Sequence, residues 1–175
     1  SIDKETIIKN KVVSPKQYDS IVPYIDIDIK GRALYKNRLM MLDLIANNNW
    51  KRPIYFSGGA YDDEDFLWMK NYLQLDGMTY KLVPIKTEIP KDASPLEMGG
   101  IDTDKMYANV MKWDWGNSES LSIYHDPETR KNSITYRSYL SRLMNQLILE
   151  KKKEKAKNII ALAMNKMPLE QFGYY

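Results

Sequence analysis

The chain contains no cysteine and a single histidine, His125. The first absence removes thiolate catalysis and disulfides, while leaving the compartment open, because reducing and oxidising compartments both host cysteine-free domains. The second leaves His125 without the partner imidazoles of a multi-histidine metal site, and no serine-containing elbow pairs with it. Long apolar runs are missing too. The longest stretch free of charge and proline falls well short of the roughly 18 residues a membrane helix needs, and no charged-then-apolar leader opens the chain. Charge of one sign is also missing: 26 Lys and Arg face 23 Asp and Glu, for a net +3. That near balance argues against the one-sided surface of a nucleic-acid-binding protein.

What is present describes a globular segment. Hydrophobic residues make up 43% and charged residues 28% of 175 positions, and a fold of that size buries roughly 70% of its unfolded surface without a metal or disulfide staple. The chain starts at Ser1 and stops at "QFGYY", inside an unfinished repeat, so it reads as a segment of a longer polypeptide.

Along the first 60 residues the pattern alternates helix and strand. "SPKQYDSIV" predicts a short helix with Ser14 as cap and Pro15 at its first position. "YIDIDI" alternates as a half-buried strand does, with Tyr24, Asp26 and Asp28 opposite Ile25, Ile27 and Ile29. "RALYKNRLMMLDLIANNN" predicts a mostly buried helix, with Tyr35, Leu39, Leu42 and Ala46 in one stripe and Asn47 to Asn49 as its stop. Pro53 turns the chain into "IYFS", expected as a core strand released by Gly58-Gly59.

The four acids Asp62, Asp63, Glu64 and Asp65 precede Phe66, Met69 and Leu73 at helical spacing. Their plainer reading is an acidic first turn that complements the helix dipole. The functional reading makes Asp62, Asp63 and Asp65, with His125, candidates for a metal site, although adjacent helical positions diverge by about 100 degrees and form a poor cage. "FLWMKNYLQL" keeps a helical stripe up to Asp76-Gly77, read as its closure, and "MTYKLVPI" is then a strand. Residues 86 to 101, with Pro90, Pro95 and Gly99-Gly100, are expected as a surface loop whose length suggests an insertion or a lid. "DTDKMYANVMKWDW" predicts a helix capped by Asp102 or Thr103, with Met106, Val110 and Trp113 on its core face.

The C-terminal third is the most regular. With Arg137 as the first position of a 34-residue unit, Leu140, Leu143, Met144, Leu147, Ala156, Ile160, Ala163 and Pro168 fall on the signature positions of a tetratricopeptide helix pair. The small residues Ala156 and Ala163 permit close helix approach. Met144 departs from the pattern, which prefers a small residue there. The fold class expected is α+β: a small mixed sheet packed with helices over residues 1–132, followed over 133–175 by a tetratricopeptide-like hairpin and the start of a further repeat.

Several stretches, "RLMMLDLIANNNWKRPIYFSGG", "YLQLDGMTYKLVPIK", "DTDKMYANVMKWDWGN", "YHDPETRKNSITYRSYLSRL" and "MPLEQFGYY", together resemble the soluble C-terminal region of a family of polytopic membrane proteins of Gram-negative bacteria, of unknown function and similar to protein O-mannosyltransferases. The resemblance implies sugar transfer in a membrane half that this chain does not contain, with the catalytic acid in an early extracytoplasmic loop there. It implies no catalytic residue and no cofactor in this chain. It also implies the periplasmic face of the inner membrane, and tetratricopeptide-like repeats from near Arg137.

Three functions follow as expectations. The first is a non-catalytic domain that recognises an acceptor protein or glycan, or supports the membrane-embedded half of the same polypeptide. Trp50, Arg52, Tyr55, Tyr61 and Trp68 are its contact candidates, because aromatic faces stack on sugars and cations anchor anions. The second is a tetratricopeptide-type protein-interaction module, with Lys151 to Lys153 and Lys155 at the edge of its groove. The third is a metal-assisted hydrolase built on Asp62, Asp63, Asp65 or His125.

Overall fold

A computed structural model describes residues 1–29, 33–57, 68–91, 93 and 97–173. The architecture is α+β, and the chain forms two compact units: Ser1–Leu75 with Thr79–Gly100, and Asp76–Met78 with Ile101–Tyr175.

In the first unit, helix α1 (Lys4–Lys9) starts at Asp3, whose carboxylate accepts from the Glu5 and Thr6 amides. A short 3-10 helix follows at Pro15–Ser20 with proline in its first turn, as the sequence predicts, but the Ser14 side chain makes no capping hydrogen bond to it. Helix α2 (Lys36–Asn48) closes at Asn49, whose left-handed φ of 47° bears out the asparagine stop. Strand β1 (Tyr55–Ser57) precedes a 3-10 turn at Lys70–Tyr72 and the strands β2 (Leu73–Asp76) and β3 (Thr79–Leu82). With β4 (Gly100–Ile101) they make a four-stranded sheet in the order β1-β3-β2-β4. Strands β1 and β3 are antiparallel, with Phe56 opposite Tyr80. The two-residue link Gly77-Met78 makes β2 and β3 antiparallel as well, and the φ of 72° at Gly77 suits glycine in such a turn.

One core cluster of this unit gathers Ile7, Val12, Val13, Ile21 and Val83, with Trp50 and Ile85 packed against it. The N-terminal segment is stitched to the sheet by an antiparallel bridge between Ile21 and Ile85 and by Lys81, whose buried ammonium donates to the carbonyls of Lys11 (3.0 Å) and Val12 (2.6 Å).

Four expectations are corrected here. Residues 24–29 form no strand; the segment is irregular, and the Asp26 amide donates to the Tyr72 hydroxyl at 3.2 Å. Alternation alone cannot supply a ladder partner. Helix α2 has no fully buried residue: Met41, Leu42 and Ile45 are half-buried, and Leu39, Met40 and Leu44 are exposed. Strand β1 lies at the sheet edge and not in the core, because β3 flanks it on one side alone. The helix read through "FLWMKNYLQL" is, from Trp68 onward, a turn followed by β2, and Asp76-Gly77 is a hairpin turn. The inner strands β2 and β3 are buried on both faces at Leu73, Gln74 and Leu75 and at Tyr80, Lys81 and Leu82. A run of that kind has no period by which to separate strand from helix.

The second unit holds helices α3 (Thr103–Val110), α4 (Pro127–Leu149), α5 (Lys153–Lys166) and α6 (Leu169–Phe172). Asp102 caps α3 through the Lys105 amide, and Met106 and Val110 are buried on the face the sequence predicts. Asp126 caps α4 through the Glu128 and Thr129 amides, with Pro127 at its first position. Leu140, Leu143 and Leu147 of α4 are buried, as are Ala156 and Ile159 of α5.

Candidate functional site

Four of the five contact candidates lie among the described residues, each in its own surroundings. Asn48 Nδ2 donates to the Arg52 carbonyl at 2.7 Å, and Asn10 Nδ2 donates to the Trp50 carbonyl at 2.9 Å. Trp50 itself has a φ of 57° and rests against the aliphatic core. The run "NNNWKR" is thus a closing turn that buries much of its tryptophan rather than offering it. The Arg52 side chain is exposed, and Tyr55 stands on the edge strand opposite Lys81. Tyr61 lies outside the described residues, together with Gly58-Gly59, Asp62, Asp63 and Asp65.

Trp68 gains a partner that sequence reasoning missed. The Arg38 guanidinium sits 4.9 Å from the Trp68 ring centroid and 5.5 Å from that of Tyr35. A planar cation between two aromatic faces is held by the ring quadrupoles. The Tyr35-Arg38 spacing of three residues is legible along a helix. Trp68 is thirty positions further on, and no local signal joins it to them.

In the second unit His125 is half-buried and makes packing contacts. Its Nε2 lies 2.8 Å from the Ser118 carbonyl, and its ring stacks on Phe172 with centroids 4.3 Å apart. The same loop is tied down by Ser118 Oγ donating to the Lys166 carbonyl at 2.6 Å, by Gln171 Nε2 donating to the Ser120 carbonyl at 2.6 Å, and by a Lys166-Glu119 ion pair. The hydrogen bond from Lys166 holds the Glu119 carboxyl below its ordinary range. Among the described residues no three His, Asp or Glu side chains gather as a metal ion would need.

Two more constellations had no sequence signal. Trp113, Trp115 and Tyr136 form a cluster with ring centroids 5.6 to 5.9 Å apart, in which Trp113 meets Tyr136 edge-on and the other pairs are tilted. Arg137, named from sequence as the start of a repeat, donates from Nη1 to the Gly173 carbonyl at 2.8 Å and from Nη2 to the Met167 carbonyl at 3.0 Å. It ties α4 to the far ends of α5 and α6.

Of the repeat-defining residues, Met144 and Ala163 are half-buried and Pro168 stands immediately before α6. Ile160 is the exception. It is 45% exposed, whereas the neighbouring Ile159 is 1% exposed. The seam of this pair takes Ile159, and Ile160 points off it. At the α4-α5 turn, Lys152 bridges Asp104 (2.9 Å) and Glu150 (2.8 Å), and Thr103 Oγ1 donates to Glu150 at 2.6 Å.

The fold and these constellations define a class: an α+β unit with an aromatic-cation stack, joined in sequence to a helical unit with a close-packed antiparallel pair. Residues 1–105 match the family model of the TMEM260-associated domain 2, and the chain belongs to that family, a domain of membrane proteins. No curated protein and no solved structure matches it. Among the described residues no helix is long and apolar enough to cross a membrane.

Proposed function

We propose that the chain is a non-catalytic, extracytoplasmic accessory domain of a membrane glycosyltransferase similar to protein O-mannosyltransferases, and that it supports the membrane-embedded half or recognises the acceptor protein or glycan. The family match over residues 1–105 carries this reading, because it ties the chain to a membrane-protein family. The engagement of His125 in packing agrees with a chain that leaves chemistry to another part of the polypeptide. The location is the periplasmic face of the inner membrane.

Of the contact candidates, Trp68 with Arg38 and Tyr35 has the geometry of a recognition surface, since it joins aromatic faces to a guanidinium. Titration of the chain by calorimetry with glycans and polyprenyl-phosphate sugars, beside Trp68→Ala and Tyr61→Ala variants, tests it. Saturable binding weakened in either variant is the expected result of glycan recognition. Silence across the screen with a folded chain removes glycan recognition and leaves the supporting role.

A second reading, a tetratricopeptide-type interaction module over residues 133–175, is favoured by the α4-α5 seam of Leu140, Leu143, Leu147 and Ala156. Its partner surface would include Ile160. An Ile160→Asp variant that keeps its helicity and every interaction of the chain would sink this reading.

A further inference from the structure

Helix α2 is built unlike an ordinary surface helix. It buries no residue fully, and Leu39, Met40 and Leu44 are 57%, 57% and 68% exposed. A helix that hides an apolar stripe keeps charge on its outer face; here Met41, Leu42 and Ile45 are half-buried on one side, and the outer side carries Leu39, Met40 and Leu44 beside Asp43 and Asn47. Its thirteen residues reach about 20 Å, too short to span a hydrocarbon core and sufficient to lie along one.

The charges say what covers this face. Residues 36–52 hold four cations and one anion. Lys36 opens the helix, Lys51 and Arg52 follow its end, and all three are exposed. The one anion, Asp43, accepts from Asn47 Nδ2 through Oδ1 at 2.9 Å, at the outer face between the cationic ends. Long basic side chains at both ends of an apolar strip can keep their heads at phosphate level while the strip enters the acyl boundary. Pairing with a second copy is disfavoured. Both ends of the helix are positive, so either a parallel or an antiparallel pairing sets cation against cation.

We propose that α2 is a membrane-surface helix, docking the chain on an anionic phospholipid bilayer through Leu39, Met40 and Leu44 with Lys36, Lys51 and Arg52 on the headgroup phosphates. The matched family region, residues 1–105, includes this helix. The inference rests on that membership and not on the sugar or acceptor reading, so the glycan screen and the lipid experiment fail independently.

The test is flotation of the 175-residue chain with vesicles of phosphatidylcholine alone and of phosphatidylcholine mixed with phosphatidylglycerol. Binding is expected on the mixed vesicles and to weaken with salt. A Leu39→Ser/Leu44→Ser variant should bind about 10-fold or more weakly, and Lys51→Glu/Arg52→Glu about 25-fold or more weakly. Both sites are exposed, and circular dichroism melts superimposable on the parent's would show that folding is intact. No binding to either vesicle overturns the proposal. So does binding lost in the charge variant and kept in the leucine variant, which would be adsorption without insertion. A concentration-dependent dimer abolished by the leucine variant assigns the face to a second copy and overturns it as well.

Discussion

Lys81 shows how one side chain can decide a local arrangement. Its ammonium is buried, and it serves two backbone carbonyls, those of Lys11 and Val12, in a segment seventy positions away in sequence. Replacing both members of a buried polar pair by apolar groups is often harmless, but here the carbonyls would remain. Lys81→Met should therefore destabilise the chain by about 3 kcal/mol, read as a lower urea midpoint with an unchanged slope; an unchanged midpoint would show that water reaches those carbonyls. Gly99 is decided by space as well as by angle. Its φ is 70°, and a Cβ there would run into the Leu73 carbonyl, which is backbone and cannot swing aside. Gly99→Ala should cost on the order of 3 kcal/mol or more. A melting temperature equal to that of the parent would refute the close approach.

At the scale of elements, the second unit depends on one guanidinium that closes the helix pair. Arg137 reaches from α4 to carbonyls at the ends of α5 and α6, and Phe172 beyond them is buried against His125. With Arg137→Leu, amides over residues 167–173 should exchange with solvent at least tenfold faster while those of the α4-α5 seam stay protected, a local loss of about 2 kcal/mol. Uniform loss of protection through α4 would mean that Arg137 holds the whole pair and not its end. The same scale explains which elements were legible. The cap of α3, the asparagine stop of α2 and the leucine stripe of α4 rest on local chemistry and are where the sequence predicts, whereas α4 begins at Pro127, ahead of the start expected near Arg137. Strand β2 reads as helix in the sequence because a segment buried on both faces carries no period.

The molecule as a whole responds to pH through both units. Asp3 is held below its ordinary value by the Thr6 hydroxyl, Glu119 by Lys166, and Asp126 by the Thr129 hydroxyl and amide. Burial raises the Glu150 carboxyl, but hydrogen bonds from Lys152 and Thr103 outweigh it and leave it lowered. Depressed carboxylates contribute stability above their unfolded values, near 4 for these groups, and that stability is lost as pH falls through the lower folded values. At the other end, Glu150 and Asp104 raise Lys152, and Glu5 raises the Tyr18 hydroxyl. Their contribution is complete below the unfolded values, near 10, and disappears as pH rises through the higher folded ones. The melting temperature should thus be level from about pH 5 to about pH 9 and fall on both sides. A steady slope across the neutral range would contradict this assignment. The α+β class, the cap of α3, the asparagine stop of α2 and the leucine stripe of α4 were determined by the sequence itself, because each depends on residues a few positions apart. The tertiary structure alone decided that β1 is an edge, that Trp50 rests on the core while Trp68 stacks on Arg38, that His125 packs on Phe172, that Ile159 and not Ile160 enters the helical seam, and that α2 shows Leu39 and Leu44 to solvent. Each of those depends on which distant segment arrives to cover a side chain, and local pattern holds no record of that.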